Sequence, residues 1–357
     1  MLICVIGAGA AGLTAIKQCL DQQLDVVCFE KTNEIGGLWR FREENIDGVG
    51  SVAKNTIMKS SKDVLAYSNF VPPDSFPIFM PNKYVCNYFE LYANEFNLLP
   101  FIHLNHSVLN VTPNDDYDDT GKWKVTVFNH NENKQFEQIF DGVMVCVGHH
   151  SKPHIPIFPG QEKFKGKIMH FQSYKTSHGF EGKIAVVVGI DNSGTDAAVE
   201  LISVCKQVYL ATRSGGWIFP LLRRNGMPID ILFSRAGKFF FSFLPKRCLE
   251  YMLENMANAI FNQKYSALRP KHSILAQSPS TCNYLGICVT NGRVLVRKNI
   301  KCFTDNGVIF EGMQNETKCD IVLLATGYDF YFPFLDNSII PMQDNKVRLF
   351  KNMFQPN

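Results

Sequence analysis

The chain has 357 residues, of which 46% are hydrophobic, and a formal net charge of +3. This length is sufficient for two domains. The near-neutral charge, without a basic cluster interleaved with aromatic residues, gives no reason to expect a nucleic-acid partner. The 11 cysteines form no Cys-x-x-Cys pair, and the nine histidines have no ligand spacing. We therefore predict reduced cysteines, no metal site and none of the dithiol chemistry of disulfide reductases.

A strand, a glycine turn and a helix open the chain. Residues 2–6 are an apolar run typical of a buried parallel strand, and helical spacing begins at Leu13. Such a turn leaves backbone N–H groups at a helix N-terminus, where the partial positive charge favours a pyrophosphate, and the middle glycine lets that phosphate approach. The dinucleotide fingerprint consists of Gly7, Ala8, Gly9, Ala10, Ala11 and Gly12.

The second predicted strand ends in an acidic residue. Residues 24–29 are followed by Glu30, at the spacing at which a carboxylate hydrogen-bonds a ribose hydroxyl. Because a carboxylate prefers a free hydroxyl to a phosphate, this first site favours FAD or NAD over NADP. The next motif is Gly36, Gly37, Leu38 and Trp39. Two glycines let a loop fold tightly against a bound ring system that Trp39 covers; a plain turn with a half-buried tryptophan is the alternative.

Residues 164–174 carry a more specific pattern. Phe164, Gly166, His170 and Tyr174 match the string Phe-x-Gly-x-x-x-His-x-x-x-Tyr. With the preceding motifs, this string makes the chain resemble the animal flavin-containing monooxygenases over nearly its whole length. Tyrosine in the last position favours the N- and S-oxygenating branch over the Baeyer–Villiger type, which has tryptophan there. The resemblance implies that these four residues, with Thr326 and Gly327, join two domains, although His170 alone reads as an ordinary linker histidine.

A second, altered glycine turn follows about 180 residues after the first. An apolar strand at 183–188 leads into it, and a further strand at 208–211 ends in Thr212 and Arg213. A hydroxyl beside a guanidinium suits a 2′-phosphate, which favours NADPH over NADH; a surface arginine on a turn is the alternative. The predicted NADP contacts here are Gly189, Asn192, Ser193, Gly194, Thr195, Asp196, Thr212 and Arg213.

These motifs predict an α/β fold with two Rossmann-like dinucleotide-binding domains, the NADP domain being inserted into the FAD domain. We assign 1–153 and 325–357 to the FAD domain and 154–324 to the NADP domain, with a helical insertion at about 218–282. Residues 236–263 are rich in Phe and Leu. In family members this region is helical and lies near the membrane surface, but core packing of the insertion is the reading that the sequence favours.

The resemblance implies an NADPH- and FAD-dependent monooxygenase that uses dioxygen, through a flavin hydroperoxide, to oxygenate a small-molecule amine or thioether. It also implies a location on the cytoplasmic side of the endoplasmic reticulum, with peripheral membrane contact. No run approaches 18 consecutive apolar residues, and the first apolar run has no basic leader. We therefore predict neither a transmembrane helix nor a signal peptide. Substrate identity and oligomeric state stay open.

Three departures from the family weaken this expectation. Asp191 stands where the second turn should have its middle glycine, which adds a Cβ and a negative charge at the pyrophosphate. In the segment of Met58, Lys59 and Ser60, lysine replaces the family asparagine beside flavin and nicotinamide. By the resemblance, Met58 and Lys59 contact NADP, Ser60 contacts FAD, and the Lys59 position is the catalytic one.

The third departure is the chain end at 354–357, before the family's last FAD-contacting strand and helix, which predicts an incomplete FAD domain. The alternative to a working monooxygenase is thus a degenerate member that binds FAD but oxidises NADPH without oxygenation, or that is not catalytic. Baeyer–Villiger oxygenation of ketones is a third alternative.

Overall fold

The computed structural model describes residues 1–351, 353 and 354. By their internal contacts they form two compact units. Unit 1 comprises Met1–Val52, Pro81–Pro153 and the described chain from Gly327 on, and unit 2 comprises Ala53–Met80 and His154–Thr326. These bounds differ from the predicted domains chiefly at 53–80, which belongs to unit 2. Residues 352 and 355–357, which we assigned to the FAD domain, lie outside the described residues.

The helices and strands are numbered in chain order. The helices are α1 Ala10–Asp21, α2 Lys62–Leu65, α3 Asn82–Glu95, α4 Tyr117–Thr120, α5 Asn192–Leu201, α6 Arg235–Ser242, α7 Lys246–Ala257 and α8 Leu285–Thr290. The first strands are β1 Leu2–Ile6, β2 Asp25–Glu30, β3 Ile102–Leu104, β4 His106–Pro113, β5 Trp123–Asn129, β6 Lys134–Phe140, β7 Gly142–Val145, β8 Lys152–Pro153, β9 Lys167–His170, β10 Ile184–Val188 and β11 Gln207–Ala211. The remaining strands are β12 Ile218–Phe219, β13 Ser280–Thr281, β14 Val294–Arg297, β15 Ile300–Phe303, β16 Gly307–Phe310, β17 Thr317–Lys318, β18 Ile321–Leu324, β19 Tyr328–Asp329, β20 Met342–Gln343 and β21 Lys346–Val347.

Unit 1 is built on a parallel sheet with the strand order β3-β2-β1-β7. The apolar residues of β1 are almost wholly buried because strands lie on both sides of it, with Leu2 opposite Asp25 and Ile3 opposite Gly142. Helix α1 connects β1 to β2, which gives the βαβ unit that the glycine turn predicted. A second, antiparallel sheet, β4-β5-β6, shares a core with these strands that includes Phe29 and Phe140.

Unit 2 repeats this plan around the parallel sheet β14-β11-β10-β18-β9. Strand β10 is central and apolar, and α5 connects it to β11. Two clusters of buried residues lie in this unit, one including Val187 and Leu201 and the other including Val186 and Phe310. Because adjacent residues of β10 point to opposite faces, both faces of the sheet are covered, as expected for a parallel sheet.

The region from 218 to 282 carries α6 and α7 and is joined at its ends, where β12 pairs with β13 and Ile218 lies opposite Ser280. Trp217, Leu253 and Ile274 form part of a small core of its own. In the described part of the chain, no helix has the length and apolar character needed to cross a membrane.

Candidate cofactor-binding sites

The first glycine turn has the geometry of a phosphate cradle. Gly9 is the N-cap of α1, and in the described chain no side chain caps this helix. A Cβ on Gly12 would lie 1.8 Å from the Gly7 carbonyl oxygen, so packing requires glycine there. A Cβ on Gly9 would meet Gly37 Cα at 3.5 Å, an ordinary contact, and Gly9 has φ −82°. The protein itself therefore tolerates a side chain at Gly9, and the residue fits a ligand that approaches the backbone there.

Glu30 is held in place at the end of β2. Its carboxylate accepts hydrogen bonds from the backbone N–H of Ala8 at 2.7 Å and of Thr32 at 2.9 Å, and from the Thr32 hydroxyl at 2.7 Å. The residue is only 7% exposed. An ionised carboxylate has about four acceptor positions, so one remains for a ribose hydroxyl. The sequence predicted the acid but not the bond from the turn that orients it.

The double-glycine motif packs directly against the first turn. Gly36 and Gly37 have positive φ, and Gly36 N–H donates to the Ala8 carbonyl at 3.1 Å. Leu38 and Trp39 follow in a short 3₁₀ helix and are partly buried. Arg40, which no sequence motif indicated, fixes this loop: it donates to the Ile35 carbonyl and forms an ion pair with Glu90 at 2.6 Å. Ala10 and Ala11 are the first residues of α1.

The second turn has the same framework with a different middle residue. A Cβ on Gly194 would lie 2.1 Å from the Gly189 carbonyl oxygen, which parallels the contact between Gly12 and Gly7. Asp191 is the N-cap of α5, has φ −75°, and accepts from Asn192 N–H at 2.8 Å. Aspartate therefore causes no backbone strain here. Its carboxylate instead lies at the helix N-terminus, where an anionic ligand would otherwise bind.

Strand β13 contacts this altered turn. The Ser280 hydroxyl donates to the Ile190 carbonyl at 2.6 Å and lies 3.3 Å from Asp191 Oδ1. Thr281 N–H donates to the Asn192 side chain at 2.9 Å. Asn192 is thus used to hold the loop. Sequence reasoning missed Ser280 and Thr281 because they lie about 90 residues beyond the turn.

Lys59 lies in unit 2, where it pairs with Asp196 in the second turn of α5. Its Nζ is 2.5 Å from Asp196 Oδ1, with the two side chains 20% and 33% exposed. Burial raises the pKa of Asp196, and the Lys59 ammonium acts in the opposite direction. The segment is further fixed by the bonds from Met58 N–H to the Met80 carbonyl and from Ser61 N–H to Asp230. Ser60, our predicted FAD contact, belongs to this segment of unit 2.

Thr212 and Arg213 follow β11 and line a cavity of about 1000 Å³ in unit 2. Most of the other charged residues of its wall are basic, and sequence reasoning had singled out only Arg213 among them. A sequence signal was available for two of the others, since β14 ends in Arg297, is followed by Lys298 and pairs in parallel with β11. The lining comprises Thr212, Arg213, Gly215, Trp217, Glu254, Lys264, Ala267, Arg269, Pro270, Lys271, His272, Ser273, Val296, Arg297 and Lys298.

A family model described as flavin-binding monooxygenase-like matches residues 2–357. The chain belongs to this family. It is 44% identical to flavin-containing monooxygenase 5 of Rattus norvegicus over 361 residues, which cover 99% of the chain and 67% of that relative. It is 39% identical to dimethylaniline monooxygenase [N-oxide-forming] 2 of Oryctolagus cuniculus, over 99% of the chain and 66% of that relative.

Solved structures agree on the fold of this flavin-binding monooxygenase-like chain. S-allyl-L-cysteine S-oxygenase from Allium sativum matches with a TM-score of 0.71 and 21% identity, over 99% of this chain and 69% of that one. An oxidised steroid monooxygenase bound to NADP matches with a TM-score of 0.65 and 18% identity, over 92% and 72%. The predicted resemblance, the fold with two dinucleotide-binding domains and the class of enzyme, a flavin-dependent monooxygenase, are thereby confirmed.

The residues of the family string lie in or beside β9, close to where the chain passes between its units. A Cβ on Gly166 would lie 2.3 Å from the Phe164 ring, so the two residues pack together. His170 is buried, and its Nδ1 accepts from Gln172 N–H at 3.1 Å. The ring of Tyr174 is also buried and packs at 5.6 Å against that of Phe171. These contacts support a structural role for the string.

The chain passes back from unit 2 to unit 1 a second time between Thr326 and Gly327. The Thr326 hydroxyl donates to the His154 carbonyl at 2.5 Å, and Gly327 has φ +85°, which favours glycine. In the described residues, no group of three or more His, Cys, Asp or Glu side chains could hold a metal ion.

Proposed function

We propose that the chain is an NADPH- and FAD-dependent monooxygenase that oxygenates soft nucleophilic nitrogen or sulfur atoms of small molecules. The observation that carries this proposal is the intact first turn, where an uncapped α1 N-terminus and the fixed carboxylate of Glu30 fit the pyrophosphate and a ribose of FAD. When bound, FAD would accept the hydride of NADPH and activate dioxygen, and the protein would bind and orient the cofactor.

In this proposal, Gly7 to Gly12 hold the pyrophosphate and Glu30 accepts from a ribose hydroxyl. Gly37, Leu38 and Trp39 lie along the cofactor, since the double-glycine loop is bonded to the turn at Ala8. By family resemblance, Ser60 also contacts FAD. By the same resemblance, Met58, Lys59 and the predicted NADP contacts between Gly189 and Arg213 form the NADP site. An amine or a thioether is the proposed substrate. The name of a curated relative supports the amine, because that relative forms an N-oxide of dimethylaniline.

Asp191 favours a second candidate function, a flavoprotein in which the nicotinamide step is weak or uncoupled. Its carboxylate already satisfies the first N–H of α5 and repels a pyrophosphate at the same place. The two candidates share FAD binding and differ in whether NADPH reduces the flavin and whether the electrons reach a substrate.

The visible absorption spectrum separates these candidates. We expect the purified chain to show an oxidised-flavin spectrum that bleaches after anaerobic addition of NADPH and returns with air. With a tertiary amine or thioether present, oxygenated product should form in proportion to the NADPH consumed. Peroxide in place of product would support the uncoupled enzyme, and flavin that does not bleach would contradict NADPH as reductant. A cyclic ketone, assayed for lactone, tests Baeyer–Villiger activity in parallel.

We also propose peripheral contact with a membrane on its cytoplasmic side, through α6. Phe239 and Phe240 of α6, and Phe243 directly after it, are 62%, 69% and 70% exposed, so this part of 236–263 does not serve core packing. In α7, Leu253 and Ala257 are buried in the small core of the insertion, as expected. Exposed basic residues lie near them in the sequence, namely Arg235, Lys238, Lys246 and Arg247. Exposed aromatic side chains beside cations suit the interface of an anionic lipid bilayer.

Replacing all three phenylalanines by serine should abolish flotation with vesicles of phosphatidylcholine and phosphatidylserine. The loss should be about tenfold or more in bound fraction, because three aromatic anchors are removed. The control is Ile287→Ser, which changes a side chain of the same unit that is 68% exposed and belongs to α8. Equal flotation of the triple variant and the wild type would contradict the proposal.

A further inference from the structure

The cavity beside Thr212 is strongly and asymmetrically charged. Glu254 is the acidic residue of its wall and is neutralised by Lys264, with Nζ and Oε2 2.9 Å apart. Five further cations line the cavity, and none of them has an ion-pair partner among the described residues: Arg213, Arg269, Lys271, Arg297 and Lys298. We call this cavity the basic pocket. Its excess positive charge attracts anions, and a guanidinium suits a phosphate group in particular.

The register of the sheet brings basic residues of two adjacent strands to the same side of the basic pocket. Strands β11 and β14 are parallel neighbours with Ala211 opposite Arg297, and Thr212 N–H donates to the Arg297 carbonyl at 3.0 Å. Arg213 and Arg297 therefore both lie at the carboxyl ends of adjacent strands. This edge of an open parallel sheet is where ligands bind. The pocket is thus an extension of the predicted 2′-phosphate contact and includes residues from three further parts of the chain.

Two nitrogen atoms of the pocket residues lack a partner. Arg297 Nε and His272 Nε2 are buried and make no hydrogen bond within the described structure. The Arg297 guanidinium is nevertheless oriented, because Nη1 donates to the Val296 carbonyl at 3.0 Å and the group lies over the Tyr209 ring at 5.4 Å. A buried donor without an acceptor is costly, and a phosphate oxygen at Nε would satisfy it.

Unit 2 therefore has a surplus of cations at one end of its dinucleotide site and an added anion, Asp191, at the other. We propose that the basic pocket binds the 2′-phosphomonoester of the nicotinamide cofactor, with Arg297 as a direct ligand, and that this contact replaces the second glycine turn as the main anchor. The inference rests on the proposed NADPH dependence. The inference goes beyond that proposal because it assigns most of the cofactor's binding affinity to the contact with Arg297 and little of it to the pyrophosphate.

Two isomeric probes separate the two ends of the site. Adenosine 2′-phosphate presents its phosphomonoester to the basic pocket, whereas adenosine 5′-phosphate presents it toward Asp191. By isothermal titration calorimetry at low salt, we expect the 2′-isomer to bind about 10- to 100-fold more tightly, as one or two charge-assisted hydrogen bonds imply. Its affinity should also fall with added salt. Equal affinities, or tighter binding of the 5′-isomer, would overturn the proposal.

Substitutions at Arg297 and Asp191 test which residues cause the difference in affinity between the two isomers. Arg297→Gln should weaken the 2′-isomer about tenfold or more and leave the 5′-isomer unchanged, while Asp191→Gly should strengthen only the 5′-isomer. Lys301→Gln is the matched control, since Lys301 is an exposed cation of the same unit outside the pocket. An unchanged thermal melt verifies that each variant is folded.

These measurements require neither flavin nor electron transfer, so they are independent of the test of function. NADPH that bleaches the flavin in a protein without 2′-isomer preference would contradict only the anchor. Strong 2′-isomer preference without bleaching would contradict only the proposed activity. If Arg297→Gln leaves the 2′-isomer affinity intact, Arg297 is not a ligand and the assignment fails.

Discussion

Gly9→Ala is expected to give a folded protein that does not retain FAD, whereas Gly12→Ala is expected not to fold stably. Gly9 is the middle glycine and Gly12 the last glycine of the same fingerprint. A Cβ at Gly9 meets Gly37 Cα at an ordinary 3.5 Å, whereas a Cβ at Gly12 would lie 1.8 Å from the Gly7 carbonyl oxygen. The second contact is with backbone and cannot be relieved by a side-chain rotation. Overpacking of this kind costs about 3 kcal/mol or more.

The measurement is the flavin absorbance per mole of soluble protein, together with the melting temperature of flavin-stripped samples. Stripped samples are needed because bound FAD stabilises the folded state by itself. Gly194→Ala is the matched variant in unit 2, where the corresponding distance to the Gly189 carbonyl oxygen is 2.1 Å. It should destabilise unit 2 while the first turn is unaltered. Full flavin content in Gly9→Ala would contradict the pyrophosphate position, and an unshifted melt in Gly12→Ala would contradict the packing argument.

The local motifs could be predicted because their function depends on residues close in sequence. Gly7, Gly9 and Gly12 lie within one turn, and the strand that ends in Glu30 follows at a spacing fixed by one helix. The same holds for β10, α5 and β11. For these elements, apolar periodicity and glycine spacing determine the structure, which is why the two dinucleotide-binding folds were predicted correctly.

The contacts that modify the sites could not be predicted in this way. Lys59 and Asp196 are 137 residues apart, and Asp191 and Ser280 are 89 apart. Neither pair has a local pattern that indicates contact, because the intervening chain decides which side chains meet. The exposed phenylalanines at α6 were wrongly expected to pack in a core. Composition alone cannot distinguish a helix face that packs against a core from one that does not.

Lys59→Met is expected to lower the stability of unit 2 through the loss of an ion pair. Removal of the ammonium leaves the Asp196 carboxylate, on the first turns of α5, without its partner at 2.5 Å. Both side chains are partly exposed, so we expect a loss of about 2 kcal/mol at neutral pH rather than the larger cost of a fully buried pair. In a unit of this size that loss lowers the melting temperature by about 4–8 °C. Lys59→Arg, which keeps the charge, should retain most of the wild-type stability.

The pH dependence of the stability difference between Lys59→Met and the wild type shows whether lost charge or lost packing causes it. The folded-state pKa of Asp196 is raised by burial and is opposed by Lys59. An acid with a raised folded pKa binds its proton more tightly when folded, so stability is lost as pH rises through that value. Without Lys59 the pKa should rise further. The variant should therefore differ little from the wild type at about pH 4 and differ most at about pH 7.5. A deficit that is equal at both pH values would show that packing, not charge, is lost.

The same pair bears on the family asparagine that Lys59 replaces. A free ammonium at this position would stabilise a reduced, anionic flavin, but the Lys59 ammonium is paired with Asp196. Lys59→Asn alone should therefore lower stability near neutral pH without a gain in NADPH oxidation. The double variant with Asp196→Asn removes both charges and should recover most of the stability, as an interacting pair requires. If Lys59→Asn raised NADPH oxidation and kept the wild-type melting temperature, the ion pair would have no role in holding this segment.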